Sequence, residues 1–342
     1  EGSRMYALEM RGWIHMYHAR LPFEQNRAES DTAALNVRLE NSRGTISHTS
    51  FVNNTARTNT TAGEGGLETP FLAGAALSLR AHSSDATITD CQFKQNNGTD
   101  YGGAAIVGVG EKDNLGHVMI ANNVFEDNVA FWWGGGLSVN STFMNTTFVN
   151  NILRNNTATW AAGGVVVNTA YSHERYDGNL FEGNHGSNWA SAVAFRANNN
   201  QHGQDRDILH GAQFYFVNNI IRDNILIPGD FPGASGLYYD DESRTRNSPL
   251  HVFNNSISDN VMFDSAAFEV DSGMVYVMDG QVHTLLHVNL TLYTGASAQA
   301  NVVNASDSHI IFRVPDVTLL NGENMTAMTY QQLLGDMDVM IE

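Results

Sequence analysis

The residues best suited to chemistry in this chain recur in phase. Asp127, Asp223 and Asp259 each stand two residues after an apolar anchor and one before an asparagine. If Asp223 and Asp259 fall in adjacent turns of a repeating backbone, strand spacing sets them roughly 5 Å apart. Two carboxylates at that separation suit acid/base or nucleophilic work on a glycosidic bond. Turn chemistry is the plainer reading and outweighs it, since Asp beside Asn favours a tight bend. A second series is aromatic: Phe71, Tyr101, Trp133, Trp160, Trp189, Phe231 and Phe263, each ahead of a cluster of small residues. Exposed, the central members Tyr101, Trp133, Trp160 and Trp189 form a flat strip for stacking on sugar rings or on another protein. Turned inward or half-buried, which is the plainer reading, they fill a corner opened by glycine. Trp132 then points away from Trp133.

Other candidates are weaker. The run "GLYYDDESR" (236–244) places Tyr238 and Tyr239 before Asp240, Asp241 and Glu242. It could hold Ca²⁺ or touch a sugar, but a solvated acidic loop is the plainer reading. The 13 histidines are scattered; His15 and His18 are three apart, and no zinc spacing is met, so no metal and no other cofactor is expected. Cys91 is the single cysteine, which excludes an intramolecular disulfide. It reads as a small core residue rather than a nucleophile. The Arg, His and acidic signatures of pectate-lyase-like or alginate-epimerase-like enzymes are not seen.

These residues must be positioned by a repeat. The pattern N-N-x-F-x-x-N, with substitutions, centres on Phe51, Phe93, Phe125, Leu153, Phe181, Ile221 and Ile257. An asparagine follows each anchor by three: Asn54, Asn96, Asn128, Asn156, Asn184, Asn224 and Asn260. Each copy is followed by the aromatic, the Gly/Ala cluster and an alternating apolar run, as in "WGGGLSV" and "WAAGGVVV". The apolar period is two, which excludes helical repeats. The shortest spacing, 28 residues between Phe125 and Leu153, is too short for a four-stranded propeller blade. The expected fold is all-β: a single-stranded right-handed parallel β-helix, a solenoid with variable loops. Like residues then stack on like about 4.8 Å apart. The anchors form an apolar ladder, and the asparagines form an amide ladder at a bend, where left-handed backbone suits them. Residues 1–33 are expected to be a lead-in or cap, 34–275 the β-helix with seven repeats, and 276–342 plainer coils with a C-terminal cap, where "MTAMTYQQLLGDMDVMIE" could form a short helix.

Charge narrows the partners. The formal charge is −18 with only two lysines, Lys94 and Lys112, so nucleic acid is not an expected partner. No run approaches the 18 or so apolar residues of a membrane span. The opening "EGSRMYALEM" has no signal-peptide core, so the chain is expected to start after processing or to be a fragment. N-x-S/T sequons begin at Asn53, Asn59, Asn97, Asn140, Asn145, Asn155, Asn254, Asn289, Asn304 and Asn324. Their density exceeds what this Asn-rich composition yields by chance and points to a glycosylated, extracellular or cell-surface protein.

The paired elements, most clearly "FKQN…GGAA" and "FEDN…GGGL", resemble the F-x-x-N and G-G-A-[ILV] repeats of the polymorphic membrane protein family, chlamydial surface adhesins with similar repeats in surface proteins of some protists. The resemblance covers roughly residues 45–270 and implies a right-handed parallel β-helix displayed at a cell surface. Two features depart from it: no C-terminal autotransporter barrel is seen, and few copies read G-G-A strictly. The sequons favour a eukaryotic secretory origin. The expected function is a non-enzymatic structural or adhesive protein of a cell surface or fibrous assembly, with filament formation through stacked ends. Its partners would be other extracellular proteins, copies of itself or glycans. The alternative is a carbohydrate-active protein: a lyase, hydrolase or epimerase, or a glycan binder using the aromatic strip.

Overall fold

Alternating apolar residues in short runs, broken by Asn, Asp and Gly, make strands and sharp corners rather than helices. The computed structural model shows this arrangement. It describes residues 6–16, 22–28, 34–56, 74–99, 102–110, 115–197, 211–227, 233–241, 248, 250–253, 255–258, 260–262, 266–272, 274–277, 290–292, 301–305, 308–312 and 316–317. Among these the secondary structure is all β, in one 21-stranded sheet and two 8-stranded sheets.

One repeat shows the rule. Strands Leu137–Thr142 and Met144–Val149 belong to the large sheet, Ile152–Arg154 to one small sheet and Thr157–Ala158 to the other. Each pairs in parallel with its counterpart 28 residues on: Leu137 with Val165, Phe148 with Tyr176, Leu153 with Phe181 and Thr157 with His185. The large sheet is therefore two parallel ladders. They merge at the long strand Leu35–Ser47, whose first half pairs with Leu77–His82 and whose second half pairs with Asp85–Thr89. Strict parallel pairing continues to the strand Met274–Val277. Beyond it, Asn301–Ala305 pairs antiparallel with Ser308–Phe312, so the plain parallel coils expected there are interrupted.

The repeat also starts earlier than expected. Residues 6–28 already supply one strand to each sheet: Phe23 pairs with Phe51, and Arg27 with Thr55. The signal was present as "FEQN" (23–26), an F-x-x-N copy. The expected C-terminal helix lies outside the described residues.

The anchors stack as expected. Phe23, Phe51, Phe93 and Phe125 are parallel rings with centroids 5.0, 4.8 and 4.6 Å apart. The column continues through Leu153, Phe181, Ile221 and Ile257 in register. Phe51 to Phe181 in this column are completely buried.

The asparagine ladder forms, with one correction. The left-handed residue is the one before the ladder Asn: Asn53, Gln95, Asp127, Asn155, Gly183 and Asp223 all have φ between 53° and 62°. One such residue bends the chain and turns the next side chain inward. Asn128 then donates from Nδ2 to the Phe93 carbonyl at 2.9 Å and to Asn156 Oδ1 at 2.9 Å, while its N–H also reaches Asn156 Oδ1 at 3.1 Å. The same pattern runs from Asn54 to Asn224. A second ladder was not anticipated: Asn123, Asn151, Asn179, Asn219 and Asn255 are linked at the preceding corner. Each stands two residues before its anchor and, except for Asn179 after Gly178, follows another Asn. Cys91 occupies this column, and its N–H is held by Asn123 Oδ1 at 2.9 Å. It is buried, as expected, but at a polar corner. A third corner carries serines: Ser172 Oγ accepts from the Met144 N–H, and Ser84 Oγ from that of Ser42. Between described repeats, most of the variation in chain length falls at this serine corner (111–114, 198–210, 242–247) and before the large-sheet strand that follows the two-residue strand (57–73, 228–232).

Candidate functional site

The fourth junction of the repeat differs in kind. Between the two-residue strands and the next large-sheet strand, the chain carries its Trp and Gly/Ala cluster. Gly134 adopts φ +34°, and a Cβ on Gly135 would stand 2.5 Å from the carbonyls of Thr157 and Gly163. Neighbouring repeats therefore meet backbone on backbone here, and only small residues fit. The bulk is pushed outward. Trp133, Trp160 and Trp189 leave the main core and cover a second apolar cluster of Ala161, Ala162, Val166, Ala190, Ala194, Ala234 and Tyr238. Val166, Ala194 and Tyr238 are outward positions of paired strands, buried because the indoles lie over them.

Contrary to the expectation from sequence, the indoles do not form a single in-phase column. Strand register aligns Trp133 with Ala161 and Trp189, and Trp132 with Trp160. The small Ala161 lets Trp133 and Trp189, two repeats apart, approach to 5.0 Å, with Trp160 wedged at 5.4 and 5.0 Å from them. Trp132 stands 5.5 Å from Trp160 and edge-on to Phe131, which is 50% exposed. Trp132, Trp133 and Trp160 are half-buried and Trp189 is 8% exposed. At one edge the Arg196 guanidinium lies 4.1 Å over the Trp189 ring, with Asp240 3.9 Å from Arg196. Ser191 and Ser235, both fully buried close by, have unpartnered hydroxyls. The whole is a tilted cluster of half-buried indoles with the exposed Phe131 at one side and the largely buried Arg196–Asp240 pair at the other.

The remaining sequence candidates fall elsewhere. Asp223 is exposed at a left-handed corner, 3.9 Å from its neighbour Arg222; its partner Asp259 lies outside the described residues. The acidic run "GLYYDDESR" is not a solvated loop through Asp241, because Gly233–Asp241 is a strand. Tyr239 is buried and donates to the Ser248 carbonyl, and Asp240 is buried beside Arg196. Of the sequon residues, Asn53, Asn97 and Asn155 are exposed along the corner between the two small sheets, and Asn140 and Asn145 are half-buried. Asn304 lies in a strand; Asn59, Asn254, Asn289 and Asn324, with Tyr101, Phe71, Phe231 and Phe263, lie outside the described residues. Burial pushes the Cys91 thiol up to about 11, which leaves it protonated and unreactive near neutrality. No group of three His, Cys, Asp or Glu gathers among the described residues, and no helix there is long and apolar enough to cross a membrane.

One outer column of charges is legible in the sequence. Lys94, Glu126, Arg154, Glu182 and Arg222 share register and alternate in sign. Glu126 takes Lys94 at 2.9 Å and Arg154 at 2.7 Å. The hydrogen bond from Lys94 leads in holding its carboxyl below the usual range, with Arg154 adding to it.

Set against family models, curated proteins and solved structures, the chain matches none.

Proposed function

We propose that this chain is one right-handed parallel β-helix acting outside the cell as a non-enzymatic, N-glycosylated structural or adhesive rod, with the tryptophan face as its contact surface. The repeated return of each strand to the same three sheets supports a single winding, and parallel crossovers in one sheet are almost always right-handed. Exposed sequon residues along one corner leave room for glycans away from the indoles. The observation that carries the adhesive reading is the tryptophan cluster itself. It is outside the main core, covers its own apolar floor, and leaves Trp132, Trp133 and Trp160 partly exposed beside the exposed Phe131.

The test uses chain secreted from a eukaryotic host. Peptide-N-glycosidase treatment should lower its intact mass, and Trp160→Ala with Phe131→Ser should abolish adhesion to cells or matrix without unfolding the rod. Full adhesion by that variant counts against the tryptophan face. Release of reducing ends or unsaturated uronates from acidic polysaccharides would replace the reading with an enzymatic one. A second reading, glycan binding, is favoured by the partly exposed aromatic cluster beside Phe131, since aromatic surface suits sugar rings; a glycan array probed with the same variant separates it from protein contact.

A further inference from the structure

The main core is apolar in nearly every repeat, and Glu174 breaks the rule. It sits in the strand His173–Asp177, where the paired positions in the next two repeats are Phe214 and Leu250. It is completely buried. Three hydroxyls surround it: Ser141 donates to Oε1 at 2.8 Å, the Thr169 hydroxyl lies 2.7 Å from Ser141 Oγ, and Thr146 occupies the paired position in the repeat before. With Ser141 committed as donor to the carboxylate, Thr169 is the donor to Ser141, so one chain of hydrogen bonds ends on Oε1. The other oxygen, Oε2, has no partner, and neither has the buried phenol oxygen of Tyr176 two residues on. An ionised carboxylate with one oxygen bare in an apolar core is costly, whereas a neutral acid places a proton on that oxygen.

We propose that Glu174 is an internal proton-holding site: folded, the chain carries it as the neutral acid, and loss of that proton loosens the middle repeats as pH rises. No cation stands against it among the described residues, and the hydroxyls that reach it leave Oε2 without a partner. Beside it stand Thr146 and Phe214 at the paired positions of the neighbouring repeats, and Tyr176 two residues on, itself packed against Phe148 and Phe195. Tyr176 is the one other titratable group among them. His173, Arg175 and Asp177 alternate to the outer side of the same strand. Among the described residues the other buried carboxylate, Asp240, stands beside Arg196, unlike Glu174.

Burial raises the Glu174 carboxyl from 4.5 to about 7, with the three hydroxyls opposing. The folded value lies above the unfolded one, so the folded chain retains a proton that the unfolded chain releases. The stability this lends is full below pH 4.5, declines between 4.5 and 7, and is gone above about 7.

Thermal and denaturant unfolding of the full chain and of Glu174→Gln, from pH 4.5 to pH 8, tests this. Gln keeps the shape and stays neutral. Across that range the folding equilibrium constant of the wild type should fall by roughly 10²-fold relative to the variant. Parallel pH profiles for the two chains overturn the proposal. Should the variant fail to fold, infrared difference spectra of the wild type decide: a buried carboxylic acid carbonyl band that disappears with a midpoint near pH 7 supports it, and an ionised carboxylate already present at pH 5 overturns it.

Discussion

The asparagine corners and the tryptophan junction stack the same repeats in opposite ways. At the corners, one left-handed residue and one inward amide recur in register, and each amide bonds to the repeats on both sides. The asparagine amides there leave no buried side-chain donor unpaired among the described residues. At the junction, backbone meets backbone through glycine, and bulky rings interdigitate across two repeats instead of stacking one on one. Nearby Ser191 and Ser235 keep unpartnered hydroxyls. The difference teaches which side can change. Register at the asparagine corners is enforced by side-chain amides as well as backbone, while at the junction only backbone bonds such as Gly103 N–H to the Gly135 carbonyl and Gly136 N–H to that of Gly163 are directional, and the side chains pack without a fixed register.

Breaking the corner should have the largest effect. Phe125→Ala removes a ring stacked on Phe93, at about 3–5 kcal/mol. Asn156→Ala strips the Phe125 carbonyl of its donor and the Asn128 N–H of its acceptor, at roughly 1–3 kcal/mol for each buried group left bare. Urea unfolding measures both, and a loss under about 1 kcal/mol in either would contradict the ladder. At the junction, Trp160→Ala should cost less than Phe125→Ala, because the indole is only half-buried; a cost equal to that of Phe125→Ala would move the tryptophans into the core.

The outer charge column should matter least to stability. Glu126→Gln should cost no more than about 1 kcal/mol, and less in high salt. Its folded value is depressed, so the stability it adds is present above pH 4.5 and lost as pH falls below it, opposite in sign to Glu174. Cys91→Asn sharpens the comparison at its fine end. The new amide would meet the Ile46 carbonyl, as Asn123 meets that of Ile88, and the fold should hold or gain about 1 kcal/mol. A clear loss would show that this corner does not accept its own ladder residue. Unmodified Cys91 should react with thiol reagents only after unfolding.

Much of this was legible in the residues. The anchors, the asparagines three places on and the small-residue clusters carry a period, and a period together with alternation leaves few folds. The eighth copy at Phe23 and the alternating charges from Lys94 to Arg222 were equally visible. Glu174 was not, because nothing in "SHERYD" marks its carboxyl as inward. Which residue of each corner is left-handed is hidden for a similar reason: Asp and Asn suit both the bend and the ladder, and only the backbone and hydrogen-bond geometry separate the roles.

By itself the sequence determined that like residues recur at coil spacing and that strands, corners and apolar columns must follow. Periodicity is a local property and survives translation along the chain. The tertiary structure alone decided that Ala161 brings Trp133 and Trp189 together, that the indoles cover an outer floor, and that Glu174 faces the core. Each of these depends on which repeat lies above which, and at what register, and no residue encodes that without its neighbours.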